Sequence, residues 1–317
     1  MSTEIVPLGE SHADQASRMV AARYREGRDI LPLLPAEYVH GEAVLPKVLD
    51  LVGSNAGVAT VRGGELRGFL VGMQITWRGR RSVYVPEYGH GSVVDGAFDS
   101  YRRMYGELSR VWVADGRREH LICAFAHDRK AIDACVSLGY GGLGTDALRD
   151  LNPAPAPADV HIRRATVADV VHIEPMENAV REHLAASPIF LPRDPKQAPH
   201  LGAKWLSHPR RALWIASEDG APRGFLCMDP DGGQVLPTSG EGTVAITGAY
   251  TAPDSRDRGV AAALLNRGLA WAASEGYTRC SVDFETANIP GAAFWLGRGF
   301  QPVTQALFRH VHDPAAG

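Results

Sequence analysis

The sequence predicts an α/β (α+β) protein of two tandem domains, each a mixed, mostly antiparallel, twisted sheet with helices on both faces. Each half of the 317-residue chain opens with a short strand and a helical pattern, and closes with a strand–helix–strand–helix run. This order is typical of a mixed sheet packed against helices. A Pro/Ala segment lies near the middle of the chain, and features on its two sides repeat.

The middle segment, residues 152–159, reads Asn-Pro-Ala-Pro-Ala-Pro-Ala-Asp. Alternating Pro and Ala favours extended polyproline geometry over helix or strand. We therefore expect a linker at 152–159, an N-terminal domain at 1–151 and a C-terminal domain at 160–317. Each of these halves is long enough to bury a hydrophobic core of its own.

Two features recur in the same order in both halves. The motifs Arg67-Gly-Phe-Leu70 and Arg223-Gly-Phe-Leu226 each follow a glycine-containing turn, which predicts a hairpin. Later in each half, an apolar strand leads into a short helix that closes on glycine, at Gly139 and Gly299. Two matches in one order indicate an internal repeat.

The most informative segment runs from Val244 to Phe300. A strand stops at Pro253, and the loop Arg256-Asp-Arg-Gly-Val-Ala261 then leads into a long helix with one apolar face. Glycine lets a ligand approach the backbone, and unpaired amides at a helix N-terminus attract anions. Two arginines add positive charge at the same place. The pattern predicts a pyrophosphate site where this helix starts.

With these residues the sequence resembles the GNAT superfamily of acyl-CoA N-acyltransferases. The loop fits the family's R/Q-x-x-G-x-G/A pattern, and Asn288 with Phe294-Trp-Leu-Gly-Arg-Gly-Phe300 fits the helix after the fifth strand. The resemblance covers roughly residues 160–310, whereas residues 1–150 keep only the pattern of the fold. The tandem layout is similar to that of mycothiol synthase and other two-domain members, with a degenerate first domain.

The resemblance implies that acetyl-CoA lies in a gap between two diverging strands, with its pyrophosphate on the loop. The implied cofactor-binding residues are Ala249, Tyr250, Thr251, Arg256, Asp257, Arg258, Gly259, Val260, Ala261, Asn288 and Trp295. A backbone amide near Ala249 to Thr251 would polarise the thioester carbonyl, as in an oxyanion hole. Asn288 would contact the pantetheine region or fix the following turn.

Two catalytic roles have alternative candidates. The family often has a tyrosine that protonates the departing thiolate where this chain has Trp295, whose indole N–H is not a useful acid. Tyr250 is the substitute if its hydroxyl reaches the sulfur, and the alternative is that both aromatics only pack. Glu285 is the expected base that deprotonates the amine, directly or through water, with Asp283 and Glu241 in reserve. Each carboxylate is alternatively a solvated or salt-bridged structural group.

The first half lacks the arginines of the loop. In its matching segment, Ser82 to Gly91, no arginine precedes a glycine at the required spacing. We expect this copy to be a scaffold or part of the acceptor pocket, although Gly89 and Gly91 would alternatively admit a ligand. His90 is expected to be an exposed turn residue, or alternatively a base donated to the other domain.

The predicted activity is transfer of an acetyl group from acetyl-CoA to a primary amine, that of a small molecule, by direct attack on the thioester. The alternatives are a non-catalytic acyl-CoA-binding sensor and an acetyltransferase for protein amines. A net charge of −3 gives no reason to expect nucleic acid or a membrane as partner. The spacing of the four cysteines predicts no metal site. With no signal peptide or membrane-spanning run, we expect reduced thiols and a cytoplasmic protein.

Overall fold

The computed structural model describes residues 3–93, 96–153, 155, 160–194 and 200–312. The chain divides into two compact units. Unit 1 comprises Met1–Thr145, Val235–Pro237 and Pro302–Gly317, and unit 2 comprises Asp146–Gln234 and Thr238–Gln301.

The compact units do not follow the linker expected at 152–159. Their boundary falls after Thr145, and the C-terminal end of the chain belongs to unit 1. Most of the expected linker, residues 154 and 156–159, lies outside the described residues. The domain limits 1–151 and 160–317 stay a prediction.

Unit 1 contains four helices in the part of the chain that the structure describes. Its strands are β1 (Glu4–Pro7), β2 (Gly57–Arg62), β3 (Glu65–Val71), β4 (Met73–Trp77), β5 (Arg80–Val85), β6 (His90–Ser92) and β7 (Glu119–Phe125). Its helices are α1 (Ala13–Ile30), α2 (Gly41–Ser54), α3 (Ala97–Ala114) and α4 (Arg129–Ser137). Strand β8 (Gly141–Asp150) contains the boundary between the units.

Two sets of strands form in unit 1. The order β1-β2-β3-β6 is an antiparallel sheet. In the second set, β4 pairs antiparallel with β5, and β5 pairs parallel with β7. The partner on the other edge of β7 is β14 (Gln301–His310), the last strand of the chain. A strand from the C-terminal half of the sequence therefore completes the first unit.

Unit 2 is a mixed sheet with helices packed on both faces. Its strands lie in the order β13 (Arg279–Glu285), β12 (Thr243–Thr251), β11 (Ala221–Asp229), β10 (Ala212–Glu218) and β9 (His161–Arg164). Its helices are α5 (Val170–Ala185), α6 (Ala203–Leu206), α7 (Val260–Ser274) and α8 (Ile289–Gly297). Neighbouring strands are antiparallel, except that β12 and β13 are parallel.

The sheet of unit 2 is apolar on both faces, because side chains of successive strand residues point to opposite sides. On β10, Trp214 packs in the core that includes α7, whereas Ile215 packs in the core that includes α5. The predicted apolar face of α7 is confirmed, since four of its residues are almost fully buried in the first core: Val260, Leu264, Leu265 and Leu269. The predicted fold class is confirmed.

The internal repeat is also present in the structure. The motifs beginning at Arg67 and Arg223 lie in β3 and β11, the second strands of two antiparallel hairpins. Gly139 and Gly299, which follow α4 and α8, both have φ of +86°. A positive φ favours glycine, which is why this residue type closes both helices.

No described helix combines the length and the apolar content needed to cross a bilayer. The cysteines Cys123, Cys135, Cys227 and Cys280 are all buried and form no disulfide.

Candidate functional site

A cleft of about 680 Å³ opens in unit 2. Its lining includes part of α5, the end of β12, the loop that leads into α7, and the start of α8. All of the cofactor-binding residues named from the sequence line it: Ala249, Tyr250, Thr251, Arg256, Asp257, Arg258, Gly259, Val260, Ala261, Asn288 and Trp295. Residues separated by up to 46 positions in the sequence are thus brought to one place.

Strands β12 and β13 separate at the cleft. Their parallel pairing covers Thr243 to Ile246 on β12, whereas β12 stays paired with β11 as far as Thr251. The β11–β12 register shifts between Cys227 and Met228, which leaves Thr247 as an extra residue in β12. Such a bulge bends a strand, and this accounts for the divergence from β13. In the part of the chain that the structure describes, no strand pairs with the β13 side of β12 after the bulge, so this side is available to an extended ligand.

The N-terminus of helix α7 is suited to binding an anion. Gly259, its N-cap, has φ of +84° and provides no side chain to cap the helix. The first amides of α7 belong to Val260, Ala261 and Ala262, which line the cleft. These N–H groups have no intrahelical acceptor, and the helix dipole adds positive potential there.

The two loop arginines differ in their partners. Nε of Arg256 donates to the Thr251 carbonyl oxygen at 3.3 Å, and Arg256 forms no ion pair with a described residue. Arg258 lies 3.2 Å from the carboxylate of Glu218, which also accepts a hydrogen bond of 2.6 Å from Ser255. Sequence reasoning missed Glu218, because nothing in the sequence places the end of β10 beside this loop. Its carboxylate holds the loop and offsets one of the two positive charges.

At the start of α8, Asn288 links that helix to α5. Its Oδ1 accepts a hydrogen bond of 3.3 Å from the Gly291 amide, which caps the helix, and it lies 3.1 Å from Nε2 of His183 on α5. A Cβ at position 291 would lie 2.6 Å from Nδ2 of Asn288, so only glycine leaves room for this cap. His183 also lines the cleft, and motif reasoning did not single it out.

Trp295 and Tyr250, the two aromatic candidates, both pack against other aromatic rings and also line the cleft. Trp295 is buried and contacts the Phe294 and Phe300 rings, with centroids 4.8 and 5.4 Å away. Tyr250 is half-buried, and its ring stacks on that of Phe225.

The carboxylates proposed as bases lie elsewhere. Glu285 ends β13, and its carbonyl oxygen accepts a hydrogen bond from the Asn288 amide, yet it is not among the described residues that line the cleft. Asp283 is an exposed residue of β13. Glu241 precedes β12 and therefore lies at the end of that strand opposite the cleft. None of these three residues is among the described residues that line the cleft.

The expectations for the first half need correction. His90 is not an exposed turn residue: it is buried in β6, where Nδ1 accepts from the Tyr101 hydroxyl and Nε2 donates to the Cys123 carbonyl, both at 2.8 Å. Burial lowers the pKa of His90. A Cβ at Gly89 would lie 2.8 Å from the Val71 carbonyl oxygen, so protein atoms fill the space that a ligand would need.

The segment that contains the cleft matches a known family. Residues 178–300 match the family model described as the acetyltransferase (GNAT) family. This segment is a GNAT domain. A search of curated protein sequences finds no match.

Solved structures extend the likeness in fold to nearly the whole chain. A GCN5-related N-acetyltransferase from Sphaerobacter thermophilus matches with a TM-score of 0.59 at 16% identity, covering 99% of this chain and 98% of that chain. A tandem GNAT protein from the clavulanic acid biosynthesis pathway matches with a TM-score of 0.51 at 16% identity, covering 97% of each chain.

A third structure, a glucosamine N-acetyltransferase region of a fungal multi-domain GH3 β-N-acetylglucosaminidase, has a TM-score of 0.57 at 10% identity. It covers 97% of this chain and 38% of that chain. Because all three identities are low, these matches show the fold alone, and they confirm the predicted fold class of two tandem GNAT-like domains.

Proposed function

We propose that this protein is an N-acetyltransferase that moves an acetyl group from acetyl-CoA to a primary amine of a small molecule. The GNAT domain supports acyl transfer as the general activity. The observation that carries the proposal is the meeting, in one cleft, of a bulged and partly unpaired β12 with the uncapped N-terminus of α7.

The residues of the cleft suit coenzyme A part by part. The amides of Val260 and Ala261 and the guanidinium of Arg256 would hold the pyrophosphate. The free edge of β12, from Ala249 to Thr251, would pair with the amide groups of the pantetheine arm. The bound thioester supplies an activated acyl group, and an amide of β12 would donate a hydrogen bond to its carbonyl oxygen. Such a donor contributes about 3 kcal/mol to catalysis in other enzymes.

Proton transfer has candidates on the protein. Tyr250 is the proposed acid for the departing thiolate, since it lines the cleft. Trp295, at the position of the family's tyrosine, is proposed to shape the wall beside the thiol. Glu285 stays the base proposed from the sequence alone. A cytoplasmic location stays a prediction from the reduced thiols.

The small-molecule acceptor is proposed on analogy. One structural neighbour is a glucosamine N-acetyltransferase region, and another is a tandem GNAT protein from the clavulanic acid biosynthesis pathway. A small-molecule amine would reach the thioester from the side of the cleft lined by α5, where Val180, His183 and Leu184 lie.

Free thiol release tests the proposal. The protein is incubated with acetyl-CoA and a panel of small amines. A parallel experiment uses a peptide that has a free N-terminus and a lysine side chain. We expect amine-dependent thiol release with at least one small amine, and none from a Gly259→Glu variant, whose carboxylate would occupy the anion site. Tight binding of acetyl-CoA without release would indicate the sensor alternative, and release with the peptide alone would indicate a protein acetyltransferase.

A further inference from the structure

We propose that His183, rather than Glu285, is the general base of the transfer, and that its Nδ1 takes the proton from the acceptor's ammonium group. This inference rests on the proposed function. An amine that arrives as ammonium has no lone pair and must lose a proton before it can attack a thioester. The base must therefore reach the cleft where the amine enters.

The hydrogen bonds of Asn288 determine which nitrogen of His183 is free. The Gly291 amide donates to Oδ1 of Asn288, which identifies that atom as the oxygen of the side-chain amide. An amide oxygen can only accept, so Nε2 of His183, 3.1 Å away, must carry the hydrogen. In the neutral ring Nδ1 is then unprotonated. No described residue forms a hydrogen bond with Nδ1.

The imidazole ring of His183 also belongs to the wall of the cleft. His183 lies on α5, is half-buried and lines the same cleft as the free edge of β12 and the start of α7. Its partner Asn288 is held as the N-cap of α8. The imidazole is thus fixed at Nε2 by a structural hydrogen bond, while Nδ1 remains available to a ligand. This division of roles between the two nitrogens is typical of a catalytic histidine.

The equivalent contact in unit 1 differs in chemistry. There, Asp128 is the N-cap of α4 and accepts from the Ala131 amide, as Asn288 does for α8. The residue of the first long helix that meets this cap is Arg23, whose Nε lies 3.4 Å from the Asp128 carboxylate. A guanidinium cannot accept a proton, so the residue that meets the cap in unit 1 cannot act as a base.

Other ionisable groups in the cleft are less suited to the role. Those that share its lining are Tyr250, Arg256, Asp257, Arg258 and Arg298. The arginines cannot act as bases, and Asp257 belongs to the loop assigned to pyrophosphate. On β11, which packs against α5, Asp229 is paired with Arg211 at 2.8 Å, and Arg223 is paired with Asp254 at 3.0 Å.

The proton balance of the step is simple. Nδ1 of His183 accepts one proton from the ammonium, and the freed lone pair forms the new C–N bond with the acyl carbon. The C–S bond then breaks and the thiolate leaves with its electron pair. The Tyr250 hydroxyl protonates the thiolate and takes the second proton of the nitrogen in return, so the products are an amide, a free thiol and an imidazolium that returns its proton to water.

The test compares three variants of the full-length protein. His183→Gln keeps a donor for Asn288 but has no base, His172→Gln is the control on an exposed site of the same helix, and Glu285→Gln tests the other candidate. We expect His183→Gln to bind coenzyme A with unchanged affinity and to lose at least about 100-fold in kcat. The fall of kcat at acidic pH, where imidazolium cannot accept a proton, should be absent from its pH profile.

Added imidazole should partly restore a His183→Ala variant, and ¹⁵N NMR of the free protein should show the Nε2–H tautomer at His183. The assignment would be overturned if His183→Gln kept full kcat together with the fall of kcat at acidic pH. An Nδ1–H tautomer at His183 in the free protein would also overturn it. If the wild-type protein binds acetyl-CoA but acetylates no amine, the proposed function fails and this inference fails with it.

Discussion

Individual charges around the loop before α7 determine how strongly an anion is attracted. Arg256 has no carboxylate partner among the described residues, whereas Arg258 is paired with Glu218. The sequence shows two equivalent arginines, and only the structure separates them. A cation that already has a counter-ion contributes less to the binding of a second anion.

We therefore expect Arg256→Ala to weaken coenzyme A binding about tenfold, the effect of losing one hydrogen bond to a charged group. Arg258→Ala should weaken it by no more than about threefold. Isothermal titration calorimetry at low salt measures both, with Arg267→Ala, an exposed residue of α7, as control. Equal losses for Arg256→Ala and Arg258→Ala would contradict the uneven distribution of charge.

A buried carboxylate anchors the helix that carries His183. Although burial raises the pKa of Glu177, hydrogen bonds from the side chain and backbone of His200 and from the Leu201 amide lower it below its ordinary value. Arg181 adds a hydrogen bond of 2.9 Å. Because the folded-state pKa is lowered, the ionised group stabilises the fold at neutral pH, and this stabilisation is lost as the pH falls below about 4.3.

Glu177→Gln should accordingly lower the free energy of unfolding at pH 7 by about 1–3 kcal/mol. The difference from the wild-type protein should shrink toward pH 3, because the carboxylate of the unfolded chain is already protonated there. Urea unfolding at the two pH values provides the measurement, and Glu174→Gln, on an exposed site of α5, is the control. A difference independent of pH would mean that the charge of Glu177 is not what stabilises this contact.

At the level of elements, the ends of α7 are both formed by glycine in the left-handed region. Gly259 before the helix has φ of +84°, and Gly276 after it has φ of +86°. Alanine at either position pays the same steric cost, of about 1–2 kcal/mol. Of these two glycines, Gly259 lines the cleft and Gly276 does not.

Gly259→Ala and Gly276→Ala should therefore lower the melting temperature by similar amounts, while only Gly259→Ala weakens coenzyme A binding. Thermal unfolding and calorimetry on the same samples distinguish the two effects. Equal affinities in the two variants would show that the start of α7 is not the anion site.

Elements whose pattern is local could be predicted, and contacts between elements could not. The hairpins, the apolar face of α7 and the closing glycines follow from residue spacing, and they are confirmed. The bulge at Thr247 leaves no signal in an apolar strand, and the pairing of His183 with Asn288 joins residues far apart in the chain. In the first half, the residue that starts the helix matching α7 is Gly96, with φ of +81°, rather than Gly89 or Gly91. The segment between β5 and α3 is longer than the match with Ser82 to Gly91 assumed, so that match placed the helix start too early.

At the scale of the whole molecule, the last strand belongs to the first unit. Residues Thr304 to His310 of β14 pair with β7, and Leu307 is buried in the core with Tyr105 and Ile122. The domain limits expected from the sequence stay a prediction, and order along the chain does not say which sheet edge the last strand joins. Unit 1 is therefore incomplete until β14 has been made.

Leu307→Ala should lower the free energy of unfolding by about 2–5 kcal/mol, the usual cost of such a cavity. Hydrogen exchange should show faster opening of β7 amides, with Gln305→Ala in the same strand as control. Faster exchange confined to α7 and β12 would contradict the assignment of β14 to unit 1.

The most direct test of the central claim is a crystal structure of the protein with acetyl-CoA. We expect one cofactor molecule per chain, in unit 2, with its pyrophosphate on the amides of Val260 and Ala261 and its pantetheine beside the free edge of β12. A cofactor bound elsewhere, or a loop from Arg256 to Ala261 that makes no contact with it, would contradict the account.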